Sequence, residues 1–301
     1  MSLLHLQKMT SLQPPLDAAT TVASSSRSIG AILVDAGRLS PANAERIHRE
    51  QKEQNLFFGD AALSLGFVTQ DDIQFALSHQ FNYPYLANND LRLSPELIAA
   101  YQPFSLAVEQ LRALRSQLML RWFDANSKLN ALAVVSPGSG EGRSFIAANL
   151  AVVFSQLGER VLLIDADLRK PRQHALFKLG HSAGLSSILA GRAGPEVIVR
   201  ITSLLGLSVL PAGSLSPNPQ ELLGRSVFRR LLETLGEEFD VIIIDTPAAH
   251  TYADAQTLAV RAGAALVVAQ KNRSATKELT QLSRNLQQSG ATLVGCVMNN
   301  V

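Results

Sequence analysis

One glycine-rich segment of the chain has the composition of a phosphate-binding loop. An apolar stretch runs into Gly138-Ser-Gly-Glu-Gly-Arg-Ser144, and a helical pattern follows. Glycines at 138, 140 and 142 allow backbone N–H groups to surround phosphate oxygens where a helix begins. This segment predicts a nucleotide-binding loop.

Carboxylates close two other apolar segments. Asp165 and Asp167 follow residues 161–164, and Asp245 follows residues 241–244. If both segments are strands of a parallel sheet, these side chains lie at its carboxyl edge, where open α/β folds bind ligands. Carboxylates beside a phosphate loop are typical ligands of Mg²⁺ and its water shell. We therefore expect a nucleotide and Mg²⁺ at this edge.

Composition narrows the class of protein. The 301 residues are 47% hydrophobic, enough for two domains with a large α/β core, and the net charge of +2 gives no reason to expect nucleic acid. A single cysteine, Cys296, excludes an internal disulfide and favours the cytoplasm. The apolar runs fall short of the ~20 residues of a membrane span. Residues 1–28 lack the apolar core of a signal peptide and are predicted to be a flexible leader.

Strand and helix patterns alternate over residues 129–301. Predicted strands cover residues 132–136, 160–165, 207–211, 241–245, 265–270 and 292–298, with helices near 144–157, 219–235, 253–261 and 275–289. This alternation is typical of a mainly parallel sheet with helices on both faces. The predicted class is α/β of the P-loop NTPase type, preceded by a small all-helical domain.

An internal repeat with an offset of 29 residues lies within residues 29–88. The paired positions are Gly30/Gly59, Gly37/Gly66, Leu39/Val68 and Gln51/Gln80. Each copy predicts a short helix, a glycine turn, an N-cap at Ser40 or Thr69 and a second helix ending near Gln51 or Gln80. The pattern resembles the N-terminal domain of type II secretion ATPases.

That resemblance leaves two interpretations of the repeat module open. Some members of the family bind cyclic di-GMP through positions that correspond here to Gly30, Gly37, Gln51, Gly59, Gly66 and Gln80. The nucleotide-binding form has Arg two residues before the first glycine, whereas this chain has Ser28 there. We favour a protein-docking module whose glycines make turns, with cyclic di-GMP binding as the alternative.

Residues 89–128 form a predicted linker that contains one helix. Apolar residues recur at helical spacing over residues 108–122, and the polar face carries Glu109, Arg112 and Arg115. Acidic and basic residues three apart on a helix usually form local ion pairs at a solvated face. The alternative is a stripe that docks on a neighbouring subunit.

Roughly residues 105–301 resemble the cytoplasmic domain of bacterial tyrosine autokinases. The resemblance rests on the glycine loop and on Ile164-Asp-Ala-Asp-Leu-Arg169, Ser216-Pro-Asn-Pro-Gln-Glu-Leu-Leu223 and Ile244-Asp-Thr-Pro247. It implies work with a membrane polysaccharide co-polymerase in capsule and exopolysaccharide assembly. Glu109-x-x-Arg112-x-x-Arg115 matches the ring-forming motif of the family, which implies self-association into rings. Together with the repeat module, the chain most resembles the EpsG type.

The resemblance also implies roles at matching positions. Asp165 would accept the tyrosine proton, as one of a catalytic set with Asp167 and Arg143, and Arg169 and Arg172 would neutralise phosphate charge. Mg²⁺ would be held by Ser144, Asp167 and Asp245. The nucleotide would contact Gly138, Ser139, Gly140, Glu141, Gly142, Arg143, Ser144 and Phe145, with Asn299 at the adenine.

Two departures from the family pattern bear on activity. Arg143 stands where the loop is expected to have Lys, and a planar guanidinium does not freely replace a compact ammonium. We expect a slower or altered enzyme. No tyrosine-rich tail follows the last strand, so we expect the phosphoacceptor to be another protein or one of Tyr83, Tyr85, Tyr101 and Tyr252.

Three functions remain open on the sequence. The first is a tyrosine kinase that regulates exopolysaccharide chain length, polymerisation or export. The second is a P-loop ATPase switch without kinase activity, and the third is a regulatory adaptor that senses a cyclic dinucleotide. Each predicts a cytoplasmic protein that is peripheral at the inner membrane through its partner.

Overall fold

A computed structural model describes residues 27–80, 85–86, 90–124, 130–180 and 183–300. Of the predicted leader, only positions 27 and 28 are among these residues. Tyr83 lies outside the described residues. The chain divides between Tyr83 and Pro84 into two compact units, which are described separately below. Among the helices that the structure describes, none has the length and apolar character needed to cross a membrane.

The first unit contains the predicted repeat. Its helices are α1 (Ile29–Asp35), α2 (Pro41–Gln54), α3 (Phe58–Ser64) and α4 (Gln70–Gln80). The second pair of helices begins 29 residues after the first pair, since 58 − 29 and 70 − 41 both equal 29. The structure confirms the predicted succession of helix, turn and helix in both copies. Helix α2 runs beyond Gln51 to Gln54 and ends at Asn55, which has a left-handed backbone.

Glycines have two structural uses in this unit. Gly37 and Gly66 make the two turns with φ of +68° and +67°, a region that side chains other than glycine rarely adopt. Gly30 instead allows close packing, because a Cβ there would lie 2.9 Å from the Phe58 ring. The caps are also as predicted: Ser40 Oγ accepts from the Asn43 N–H, and Thr69 exchanges hydrogen bonds with Asp72.

The second unit is built on a seven-stranded sheet. Six of its strands run parallel and β3 is antiparallel to β4, in the order β3-β4-β2-β5-β1-β6-β7. The strands are β1 (Ala131–Val135), β2 (Val161–Asp165), β3 (Val199–Arg200), β4 (Leu207–Leu210), β5 (Val241–Asp245), β6 (Ala264–Gln270) and β7 (Thr292–Asn299). The two-residue strand β3 escaped prediction because it is too short to show an apolar pattern.

Helices cover both faces of the sheet, as predicted. Alternate side chains of β1 belong to two different apolar clusters, one on each face of the sheet. The helices are α5 (Ile98–Tyr101), α6 (Leu106–Leu118), α7 (Arg143–Ser155), α8 (Gln173–Leu176), α9 (Leu185–Leu189), α10 (Pro219–Gly224), α11 (Ser226–Glu238), α12 (Asp254–Ala262) and α13 (Thr276–Gln288). The predicted helix at 219–235 is divided into α10 and α11 because Arg225 is extended. Helix α6 ends before Trp122, which lies in a π-helical turn, Met119–Phe123.

A buried amide on α7 forms hydrogen bonds with residues 90–105, the linker segment. Asn149 is fully buried; its Oδ1 accepts from the Ala99 N–H at 2.9 Å, and its Nδ2 donates to Glu96 O at 3.0 Å. Nδ2 also donates to Phe145 O at 3.0 Å within α7. The linker segment is therefore part of the second unit rather than a free tether.

Replacement of Asn149 by leucine should destabilise the second unit. Asn149→Leu keeps the number and branching of the side-chain heavy atoms but leaves the buried Ala99 N–H and the Glu96 carbonyl without their partner, so we expect unfolding free energy to fall by roughly 2 to 4 kcal/mol. Urea unfolding followed by the fluorescence of Trp122, the single tryptophan, measures this. The control is Gln281→Leu at an exposed amide of α13, and equal unfolding midpoints for the two variants would contradict the assignment.

Candidate functional site

The register of two neighbouring strands places two carboxylates side by side. Strands β2 and β5 pair in parallel, and Asp165 lies opposite Asp245 at their carboxyl ends. Both side chains are fully buried. The sequence expectation that these aspartates share one edge of the sheet is confirmed.

Burial is the main influence on the Asp165 carboxyl and raises its pKa well above the ordinary value. The charges of Asp245 and Asp167 raise the pKa further, whereas the backbone N–H groups of Gln173 and Arg172 lower it. Those two groups donate to Asp165 Oδ2 at 2.9 and 3.0 Å. The loop after β2 is thus folded around this carboxylate.

The pKa of Asp245 is also raised, again mainly by burial. The positive charge of Arg143 and hydrogen bonds from Gln173 and Ser144 act in the opposite direction. Gln173 Nε2 donates to Asp245 Oδ2 at 2.7 Å, while Oδ1 of the same carboxylate is buried with no hydrogen-bond partner. Asp245 therefore has one oxygen committed to the protein and one left for a ligand.

The glycine loop has the conformation that a phosphate cradle requires. Gly140 and Gly142 have φ of +77° and +95°, and a Cβ at Gly142 would lie 2.1 Å from Asn299 Nδ2. Helix α7 begins directly after Gly142 with no side-chain cap, so N–H groups of its first turn point toward the loop. Asn299, at the end of β7, donates from Nδ2 to Glu141 O at 3.2 Å.

Glu141 braces the loop from inside. Its side chain is buried, and its carboxylate accepts from the Gly138 N–H at 2.7 Å and from the Ser274 hydroxyl. Arg273 adds a second brace, donating to Ser139 O at 2.9 Å and to Gly140 O at 3.2 Å. Sequence analysis missed Arg273 and Ser274, although both follow β6 at the same edge of the sheet.

Arg143 is folded into the loop and is only 7% exposed. Its Nε donates to Thr246 O at 2.7 Å, and its Nη1 donates to Ser136 Oγ and Gly138 O at 2.5 and 2.8 Å. Its Nη2 lies 3.9 Å from Asp167 Oδ2. The guanidinium therefore joins the loops after β1 and β5 and supplies positive charge beside the carboxylates.

The other arginines expected near phosphate bind carboxylates of the chain instead. Arg169 Nε donates to the buried Asp254 at 2.7 Å, and its guanidinium carbon lies 3.6 Å from the centre of the Tyr252 ring. Arg172 Nη2 donates to Glu96 Oε1 in the linker segment at 2.9 Å. In this structure both guanidinium groups hold the protein together.

The remaining predicted positions lie on two helices. Ser144 and Phe145 form the first turn of α7, and the Phe145 ring packs partly buried against the apolar cluster on that face. On α6, Glu109 pairs with Arg112 at 2.8 Å, the local ion pair that its spacing predicts. Arg115 Nη1 donates to Val153 O at 2.6 Å, near the end of α7.

The donor set at the strand ends fits Mg²⁺. The described residues contain no cluster of three or more His, Cys, Asp or Glu arranged to hold a metal ion. Mg²⁺ usually takes only one or two carboxylates and completes its shell with water and phosphate oxygens. Asp245 meets that requirement, because its buried Oδ1 has no hydrogen-bond partner.

A glycine loop at a helix start and carboxylates at the ends of neighbouring parallel strands define a P-loop nucleotide-binding domain. In agreement, residues 130–294 match the AAA_31 family of AAA domains. The chain belongs to the bacterial tyrosine-protein kinases, as its sequence motifs predict. It is 36% identical over 212 residues to tyrosine-protein kinase YwqD of Bacillus subtilis, covering 70% of this chain and 89% of that protein.

Two further comparisons agree with this family. The chain is 34% identical over 205 residues to tyrosine-protein kinase ptk of Acinetobacter johnsonii, covering 68% of this chain but 28% of that longer protein. The kinase domain of Escherichia coli tyrosine kinase ETK superimposes with a TM-score of 0.66 at 32% identity, over 73% of this chain and 86% of that domain. The shared part is therefore the P-loop unit.

Substitution of Asp245 should stabilise the ligand-free protein. A carboxyl with a raised pKa in the folded state favours folding at low pH, and this contribution is lost as pH rises through the folded pKa. We expect Asp245→Asn to increase unfolding free energy at pH 8 by roughly 1 to 2 kcal/mol, the gain typical of stabilising substitutions.

The gain should shrink as pH falls below the raised pKa of the folded state toward the ordinary aspartate pKa of about 4, because the folded protein then holds this carboxyl protonated and no longer bears the cost of a buried charge. Urea unfolding by Trp122 fluorescence at pH 8 and pH 5 provides the measurement. A variant less stable than the native protein at pH 8 would contradict this interpretation.

Proposed function

We propose that this chain is an ATP- and Mg²⁺-dependent protein-tyrosine kinase that regulates exopolysaccharide chain length, polymerisation or export. The observation that carries the proposal is the pair of buried carboxylates, Asp165 and Asp245, beside a glycine loop at the start of α7. Phosphoryl transfer needs little more from a protein than positioning and charge stabilisation, which this arrangement supplies.

In the proposed mechanism each element of the site has one task. The bound magnesium nucleotide supplies the phosphoryl group. N–H groups of the glycine loop and the Arg143 guanidinium would hold its phosphates, and Ser144, Asp167 and Asp245 would hold the metal and its waters. Asp165 accepts the proton of the tyrosine hydroxyl, a task that suits a carboxyl of raised pKa. Asn299 contacts the adenine.

The acceptor tyrosine is assigned by exposure. Tyr101 is buried, and its hydroxyl lies 2.7 Å from Asp90 O as a donor, which supports a structural role. Tyr252 is 42% exposed next to Arg169, on the rim of the strand edge. A cavity of about 530 Å³ lined by Arg169, His174 and Pro211 adjoins this edge and has room for a tyrosine side chain. Tyr85 is half-buried and Tyr83 lies outside the described residues, so exposure favours Tyr252 among the tyrosines that the structure describes, with another protein as the alternative acceptor.

A P-loop switch without kinase activity is the second candidate. One observation favours it: Arg143 donates hydrogen bonds to Thr246, Ser136 and Gly138. It must break some of these hydrogen bonds before it can bind a phosphate. In that case nucleotide binding would control assembly on the partner, and no phosphotyrosine would form.

We place the protein at the cytoplasmic face of the inner membrane, held there by a membrane polysaccharide co-polymerase. Rings would form through Glu109, Arg112 and Arg115 on α6. In this proposal the first unit is a counterpart of the N-terminal domain of type II secretion ATPases, and the whole chain is a kinase of the EpsG type. Its turn-forming glycines support protein docking, and equilibrium dialysis of the full chain with cyclic di-GMP distinguishes docking from an adaptor that senses this dinucleotide.

Incubation with γ-labelled ATP and Mg²⁺, with and without the cytoplasmic segment of the co-polymerase, tests the kinase. We expect labelled phosphotyrosine that falls about 100-fold or more in Asp165→Asn, the usual effect of losing a general base. The matched control is Asp240→Asn, which removes an exposed carboxylate at the other end of β5. ATP binding with no phosphotyrosine on either chain would favour the switch.

The cradle has its own test. Gly142→Ala strains a residue with φ of +95° and drives a methyl group into Asn299, so we expect affinity for ADP to fall about tenfold or more. Gly158→Ala imposes similar strain at φ +103° in open space and serves as control. Equal affinity in the two variants, measured by calorimetry, would argue against phosphate binding at this loop.

A further inference from the structure

Gln173 contacts both the glycine loop and a strand-end carboxylate through its amide nitrogen. It is fully buried at the start of α8. Its Nε2 donates to Asp245 Oδ2 at 2.7 Å and to Ser144 O at 3.2 Å, and its backbone N–H donates to Asp165 Oδ2 at 2.9 Å. A single residue thus connects the ends of β2 and β5 with the first turn of α7.

The amide oxygen of this residue is left without a donor. Gln173 Oε1 and Asp245 Oδ1 are both buried acceptors with no hydrogen-bond partner. A buried polar group costs free energy unless it is hydrogen-bonded, and such groups in folded proteins usually bind water or an ion. These two oxygens belong to side chains that are hydrogen-bonded to each other, which indicates that a cation or a water molecule binds beside them.

A purely structural amide in the same domain looks different. Asn149 is equally buried, yet its Oδ1 accepts from Ala99 and its Nδ2 donates to Glu96 and Phe145. Both the oxygen and the nitrogen of the Asn149 amide therefore have hydrogen-bond partners. In Gln173 only the nitrogen has partners, so packing and folding alone do not explain why a polar oxygen is buried there.

We propose that Gln173 is a positioning residue for the magnesium site, an inference that rests on the proposed function. Its Nε2 fixes the Asp245 carboxylate so that Oδ2 faces the protein and Oδ1 faces the metal. Its Oε1 accepts a hydrogen from a water molecule bound to Mg²⁺. A neutral amide suits this place, because a third carboxylate would add negative charge between Asp165 and Asp245.

Partners that orient a metal ligand typically change metal affinity by about 10- to 100-fold when they are removed. Gln173→Met keeps the length of the side chain and removes both polar atoms, and Gln173→Ala is the second variant if methionine does not fold. We expect either variant to weaken the dependence of nucleotide binding on Mg²⁺ while the affinity for metal-free nucleotide stays nearly the same.

The measurement is titration of the full chain with fluorescently labelled ADP, with Mg²⁺ and with excess chelator. The ratio of the two dissociation constants gives the magnesium enhancement. We expect this ratio to fall about tenfold or more in the Gln173 variants. In Asn149→Leu, which removes a buried amide away from the metal, the ratio should equal that of the native protein despite lower stability.

A folded Gln173 variant that keeps the native magnesium enhancement would overturn the inference while leaving the proposed function intact. If the native chain binds no nucleotide, or binds it equally with and without Mg²⁺, the proposed function itself fails and the inference fails with it. A ratio that falls equally in Asn149→Leu would also overturn the assignment, because the effect would then follow loss of stability.

Discussion

Burial of two like charges at adjacent strand ends is the constraint around which this domain is arranged. Asp165 and Asp245 are brought together by the register of β2 and β5, and low-dielectric surroundings make their shared ionisation costly. The compensation comes from three directions. Arg143 supplies positive charge, the loop before α8 supplies backbone N–H groups, and Gln173 supplies an amide. Arg143 and Gln173 also contact the glycine loop, at Gly138 O and Ser144 O, so the cradle and the carboxylates form one structure.

Helix α7 couples that site to the segment before the sheet. Its first turn follows the glycine loop, and one turn further Asn149 binds the linker segment through Ala99 and Glu96. Glu96 in turn pairs with Arg172, whose backbone N–H donates to Asp165 Oδ2. The linker segment is thus hydrogen-bonded both to α7 and to the loop that holds Asp165.

The features that could be predicted from the sequence are those set by residues close to one another along the chain. Apolar runs ending in aspartate, glycines with positive φ, and the repeat with its caps all follow from neighbours along the chain. The contacts of Gln173 and Arg273 could not be predicted in this way. Their partners are 72 and over 130 residues away along the chain, and no local pattern marks such pairs. Glu141 illustrates the same difference: its motif suggests a ligand contact, yet its carboxylate binds Gly138 and Ser274. Topology decides which polar residues face inward.

Arginine at position 143 makes sense as a structural choice for this cradle. A lysine ammonium offers three donors at one point, whereas the guanidinium fork spreads its donors across a plane. Here that plane bridges Ser136 and Gly138 on one loop and Thr246 on another, while Nη2 lies 3.9 Å from Asp167. The loop is thus preorganised before any ligand arrives. The same contacts restrain the cation, since a phosphate must compete with backbone carbonyls for it. A more rigid cradle with a less mobile charge is the consequence.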